Sequence, residues 1–279
     1  MIDVVELVKQ NKGKFEWSEL KSEADGYTLY IQVFKDAMKF DDIPAMTWNF
    51  QKIPYDDRKF NGVRLPATAY QLQQIADLLD CMLMTTKVID MIWLQATNKF
   101  NCITAVNQVI VANCNIHDYH LALEKKSIGE GLTSCIGKYW CLTNKLNNYG
   151  LIKGHEAACN YGWFSSSGSG PCLTPGTRCW QREGFKHNNR HYDPSQLIRL
   201  MNRKARLVCP DGSEKEVDLM ELANTDLAKL FHHNSRLTYL RQKGVPQLEP
   251  LPKPEPIKQK DLFKELLNKF VSFFSKNRK

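Results

Sequence analysis

Hydrophobic and polar positions along this chain keep a helical period in several early segments and alternate, strand-like, in later ones. Behind Asp3 as an N-cap, residues 3–12 read as a short helix. Tyr27–Phe34 (YTLYIQVF) is β-branched and aromatic and follows the turn pair Asp25-Gly26, which predicts a strand. Residues 41–62 are dense in turn formers: Asp41-Asp42, Pro44, Pro54, Asp56-Asp57 and Asn61-Gly62. Leu72, Ile75, Ala76, Leu78 and Leu79 then hold the helical spacing and predict a helix over Thr68–Asp80. Thr85 or Thr86 caps a second helix, with Val88, Ile89, Ile92, Trp93 and Ala96 as its buried stripe. A third is expected over Asn115–Lys126.

From Lys138 onward the pattern is that of strands: KYWCLTNKL, AACNYGWF, TRCWQ and SQLIRLM. RKARLVCPDGSEKEVDLM follows as a hairpin turning at Pro-Asp-Gly-Ser, and Met220–Phe231 returns to helix. Helices first and strands second predict an α+β fold, a helical N-terminal half packed on a mainly antiparallel sheet. The expected organisation is one domain over 1–244, a Pro-rich linker over 245–258 and a basic amphipathic helix over 259–279. Pro246, Pro250, Pro252, Pro254 and Pro256 make the linker extended and semi-rigid.

Composition changes this picture in three places. The net charge of +8 is concentrated in residues 251–279, where eight Lys or Arg face three acids; that net +5 leaves +3 for the body. A body so near neutral argues against nucleic acid as a partner. The nine cysteines include no CxxC pair, which argues against a zinc ribbon and for reduced, mostly buried thiols, with a Cys172–Cys179 pair left open. The N-terminal segment carries acids among its apolar residues and has no cleavage pattern, so the chain is expected to be cytoplasmic as synthesised, without a signal peptide.

Candidate chemistry gathers between His155 and Met201. His187 and His191 stand four apart, followed by Asp193. Metal binding, direct acid–base or substrate contact, and structural bonding in a loop are all open for them, because HNNRHYDP is a poor helix and lacks the glutamate of zinc-protease motifs. Ser195 is either a nucleophile or a strand-entry cap; no nucleophile elbow surrounds it. Tyr161 and Trp163 alternate with Gly162, so on a strand they share a face, either stacking on a sugar ring or packing in the core. Lys138 and Asn144, six apart and polar within an apolar run, would also share a face and join them as substrate-binding candidates. No metal ligand set is assigned, and no cofactor is identified.

RLPATAYQLQQIADLLDCMLMTTKVIDMIW, GKYWCLTNKL, NYGWF, QREGFKHNNRHYDPSQLIRLM and PDGSEKEVDL together resemble a little-characterised family of bacterial and phage proteins, some with peptidoglycan-binding modules. Phe164 stands where the family pattern often has histidine, and Pro194 where it has tyrosine. The resemblance spans about residues 27–235 and implies cell-envelope biology without assigning a reaction. Taken with the dense His/Asp/aromatic segment, it leads us to expect a cell-envelope-directed enzyme, a hydrolase of peptidoglycan or a related glycan, located in a phage virion or the cell envelope. The alternative is a non-enzymatic virion-structural or partner-binding protein.

In residues 259–276, Leu262, Phe263, Leu266, Leu267, Phe270, Val271 and Phe274 form one stripe opposite a basic face. Each such side chain is worth roughly 1.5–3 kcal/mol when buried. The stripe is therefore expected to bind a protein partner, a second copy or an anionic membrane surface. Truncation at Gly244 should leave the body folded and abolish self-association or vesicle binding in sedimentation assays; unchanged association would refute the assignment.

Overall fold

A computed structural model describes residues 3–47, 51–53, 55–103, 116–127, 129–168, 170–234 and 236–252. Its principal helices are α1 (Val4–Lys9), α2 (Ala69–Leu78), α3 (Thr86–Gln95), α4 (Ile116–Glu124) and α5 (Leu219–Leu222). Its principal strands are β1 (Trp17–Ala24), β2 (Tyr27–Phe34), β3 (Cys81–Met82), β4 (Lys138–Cys141), β5 (Leu151–Ile152), β6 (His155–Phe164), β7 (Gly170–Pro171), β8 (Arg178–Asn188), β9 (Met201–Val208) and β10 (Glu214–Asp218).

The helical N-terminal half expected from the sequence is not what forms. Strand outweighs helix, 35% against 21%, and the N-terminal region is itself rich in strands. β1 was hidden because its sequence, WSELKSEA, buries only Leu20 and Ser22, so it carries almost no apolar alternation. Residues 41–62 add two-residue ladders that side chains hold in place. The Asp41 carboxylate accepts from the Gly62 N–H and the Asn61 amide oxygen from the Asp42 N–H, both at 2.9 Å. The expected Met220–Phe231 helix is one α turn followed by a 3-10 turn over Asp226–Leu230. The terminal helix expected over 259–279 lies outside the described residues.

Two antiparallel sheets carry the core. One has the order β10-β9-β2-β1, with β3 on the end of β9; the other is β4-β6-β8-β7, with β5 on β6. β1 and β2 join through Asp25 and Gly26, at φ +51° and +78°, a two-residue turn whose twist matches that of the strands. Leu20, Leu29, Ile31, Val33, Ala205 and Leu207 fill the inner face of this sheet. α2 opens with a capping box, Thr68 and Gln71 bonding each other's backbone at 3.1 Å, and α3 opens on the Thr85 hydroxyl.

The chain from Asp193 to Met201 threads between the sheets and ties both. Phe34 N donates to Leu200 O at 3.0 Å, Met38 N to Ile198 O at 2.8 Å, Ala67 N to Gln196 O at 3.1 Å and Lys138 N to Ser195 O at 3.0 Å. Arg199, 1% exposed, donates to the carbonyls of Phe34 (2.7 Å), Lys35 (2.8 Å) and Thr133 (2.8 Å) and to the Tyr139 hydroxyl (3.3 Å). Gly137 permits this approach, since a Cβ there would lie 2.0 Å from the Ser195 carbonyl. The chain stays packed beyond Gly244: Val245 is buried and Leu251 N donates to Leu78 O at 2.8 Å. A truncation that spares these contacts ends after Pro252.

A second buried guanidinium, Arg64, grips Asp36 through two bonds and also pairs with Glu124. The Arg64 N–H donates to His120 Nδ1 at 3.3 Å, which requires that nitrogen to be unprotonated. Burial, then the neighbouring Arg64 charge, push the His120 pKa down to about 4. The unfolded chain, with an ordinary value of about 6.5, takes up this proton first, so the contribution is intact above about pH 6.5 and is lost as pH falls towards 4. His120→Asn keeps an acceptor near Nδ1 and does not titrate. Denaturant midpoints measured from pH 7 to pH 4 should fall less steeply in this variant, and an identical slope would contradict the assignment.

Candidate functional site

The site is built on the second sheet. Lys138 pairs with Gly162 and Trp140 with Asn160, while His187 pairs with Ala158 across β6 and β8. Paired residues share a face, so Lys138, Trp140 and His187 point the same way. Between Ala158 and Gly162, β6 advances two residues where β8 advances three, twice over, which makes two bulges in β8. The chain then turns back at Asn189 and Arg190 and lays His191 on His187, ring centres 3.8 Å apart and planes 12° from parallel. Trp140 meets both imidazoles edge-on, at 6.5 and 6.4 Å.

Asp193 and Ser195 close the other side. The Asp193 carboxylate pairs with the Lys138 ammonium through one oxygen, and through the other accepts from Ser195 N at 2.8 Å and Ser195 Oγ at 2.5 Å. Lys138 Nζ also lies 5.2 Å from the centre of the Trp163 ring, in cation–π range. Trp163 reaches this position because it and Gly162 both have positive φ, +62° and +107°, which breaks the strand's alternation. Five polar candidates and one aromatic therefore converge: Lys138, His187, His191, Asp193, Ser195 and Trp163.

Tyr161 and Asn144 are not with them. Tyr161 is fully buried on the opposite face of β6, where its hydroxyl donates to Asp90 at 2.8 Å and accepts from Leu173 N at 2.8 Å. The expectation that Tyr161 and Trp163 share a face fails because the left-handed Gly162–Trp163 step intervenes. β4 ends at Cys141, and Thr143 caps a 3-10 turn over Asn144–Asn148. Asn144 there holds a later segment, donating to Arg236 O and accepting from Thr238 N, both at 2.7 Å.

Asp90 is the cluster that the sequence did not lead to. Wholly buried on α3, it accepts from Tyr161, from Thr174 N (3.0 Å) and Oγ1 (2.6 Å), and faces His233 Nε2 at 3.3 Å. The available signal was an acid inside an apolar helical run, VIDMIW. Nearby, Cys172 and Cys179 are disulfide-bonded, whereas Cys81, Cys102, Cys135, Cys141 and Cys159 are buried thiols.

Electrostatics separates the roles. Burial alone would raise the Asp193 pKa, but Lys138 and the Ser195 bonds outweigh it and hold the carboxyl below its usual range. Burial, then the Lys138 charge, lowers the pKa of His187; burial, then His187, lowers that of His191. Both imidazoles are therefore neutral near pH 7, and neither is hydrogen-bonded to another described residue. Among the described residues no group of three or more His, Cys, Asp or Glu is placed to hold a metal ion, since Asp193 is turned to Lys138 and Ser195. Ser195 is 2% exposed and already donates to Asp193, which is the geometry of a loop-closing cap.

No family profile, curated protein or solved structure matches the chain.

The Lys138–Asp193 pair generates a stability prediction. Asp193→Asn leaves an ammonium that is 10% exposed without its counter-charge and should cost about 3–5 kcal/mol, whereas Ser195→Ala should cost about 1 kcal/mol. Urea unfolding of the two variants checks the ordering. Equal, small losses would show that the ion pair does not hold the loop.

Proposed function

We propose that this protein is a cell-envelope-directed hydrolase of peptidoglycan or a related glycan, with His187 and His191 as its acid–base pair. The observation that carries the proposal is the stacked pair of neutral imidazoles, partly exposed and uncommitted to other described side chains. A neutral imidazole accepts a proton from the attacking water at physiological pH, the resulting cation lies near the Asp193 carboxylate, and that proton passes to the departing sugar oxygen as the glycosidic bond breaks. Lys138 supplies fixed positive charge, and the Trp163 ring supplies an aromatic surface for the apolar face of a sugar. Ser195 has no nucleophilic part in this scheme; water attacks directly. The choice of glycan rests on the resemblance of NYGWF and QREGFKHNNRHYDPSQ to the bacterial and phage family, and a phage source fits the same resemblance.

A second function, glycan or partner binding without turnover, is favoured by one observation. Among the described residues no carboxylate bonds to either imidazole, so neither is oriented as in a triad, while Asp193 is spent on Lys138 and Ser195.

Purified peptidoglycan decides between them. Hydrolysis predicts release of soluble fragments, reduced about a hundredfold or more in His187→Ala or His191→Ala with the thermal midpoint retained. The base must be deprotonated to act, and its pKa is lowered, so the acid limb of the rate profile should fall below about pH 6.5. Co-sedimentation with peptidoglycan without release of fragments would replace hydrolysis with binding. Release unaffected by either substitution would place the chemistry elsewhere.

A further inference from the structure

A cavity of about 300 Å³ opens beside β6 and β8, lined by Lys145, Tyr161, Pro171, Leu173, Arg182, Glu183 and Phe185 among others. None of the six clustered residues of the candidate site lines it, so the hydrolase proposal does not use it. Its charges are unequal in their freedom. Both oxygens of Glu183 are occupied, one accepting from Thr143 Oγ1 at 3.0 Å and the other paired with Lys145. Glu183 and Lys145 therefore neutralise each other at the rim. Arg182, an exposed residue, makes no side-chain hydrogen bond or ion pair to a described residue, which leaves its guanidinium unpaired among them.

That guanidinium has a seat. A Cβ built on Gly170 would lie 1.8 Å from Arg182 Nη2, 2.7 Å from Cζ and 2.9 Å from Nε. The arginine head thus occupies the space a side chain at position 170 would fill, beside β7. The rest of the lining is Pro171, Leu173, the disulfide-bonded Cys172, the buried Tyr161, and Phe185, whose ring stacks on Tyr149 at 4.4 Å.

We propose that this cavity is a binding site for a small organic monocarboxylate with a flat apolar body. A guanidinium matches a carboxylate in plane through two parallel N–H···O bonds, and the aromatic wall takes the hydrophobic part. Among the described residues one unpaired positive charge lines the cavity, which favours a monoanion over a doubly charged phosphate ester. The volume lies at the small end of ligand pockets, which suits a single ring with a carboxylate rather than a polymer.

Benzoate tests this, with benzamide as the neutral isostere and phenyl phosphate as the dianion, by NMR titration of the full-length chain. Benzoate should bind saturably with shift changes at Arg182, Phe185 and Tyr161. Benzamide should bind at least about tenfold more weakly, the equivalent of losing one charge-assisted bond. Arg182→Ala should weaken benzoate by a similar factor. Gly170→Ala should weaken it while leaving the fold intact, because the added methyl displaces only the end of a flexible side chain. Benzamide binding as tightly as benzoate, tighter binding of phenyl phosphate, indifference to Arg182→Ala in a folded variant, or no saturation would each overturn the proposal.

Discussion

A guanidinium buried between two sheets is the interaction on which the rest of this fold depends. Arg199 is almost wholly buried, and all four of its acceptors are uncharged groups from three separate segments. A cation in that position is tolerated only if the carbonyls replace its hydration shell, so the strand end at Phe34 and Lys35, the segment at Thr133 and the Tyr139 hydroxyl are all held at bonding distance. Because β2 belongs to one sheet and Tyr139 to the other, the same requirement fixes how the sheets meet. The backbone bonds of residues 195–200 on either side of Arg199 extend the tie in both directions.

The candidate site is a consequence of that tie. Ser195 O receives the Lys138 N–H four residues before Arg199, so the strap that carries Arg199 also delivers Asp193 to the Lys138 ammonium. Lys138 stands one residue before Tyr139 on β4, so its side chain leaves the opposite face of the strand from the residue that Arg199 holds. Two bulges in β8 and the turn at Asn189 and Arg190 then bring the imidazoles together against Trp140. Neutral bases, a locked carboxylate and a fixed ammonium follow from burial and from which partner reaches which group. The other face of β6 shows the same economy of polar groups, with the Tyr161 hydroxyl and the Thr174 donors satisfying Asp90.

Much of this was legible in the sequence where one local pattern governs the outcome. α2 and α3, with their threonine caps, and the β9–β10 hairpin follow from spacing and turn residues. His187, His191, Asp193 and Ser195 stood out in the sequence as a density of reactive residues along a short stretch, but that Lys138 and Trp163 join them while Asn144 and Tyr161 do not was hidden. What was hidden depended on partners distant in the chain. β1 looks polar because Leu20 is its only fully buried apolar residue and its ladder partner β2 is needed to reveal it as a strand. Tyr161 and Trp163 separate because of a left-handed step that no alternation rule anticipates. Asn144 becomes a staple for residues 236–238, and Arg199 reads as an ordinary polar residue in SQLIRLM until Phe34, Lys35 and Thr133 surround it.

Amide hydrogen exchange on Arg199→Lys tests this account most directly. An ammonium keeps the charge but cannot span all four acceptors, and the loss of buried charge-assisted bonds should cost about 3 kcal/mol or more. If Arg199 joins the sheets, protection should fall together at Leu29 and Ile31 in β2 and at Trp140 and Tyr161 in β4 and β6, within one cooperative transition. Loss of protection confined to residues 133–135, with both sheets exchanging as before, would contradict it.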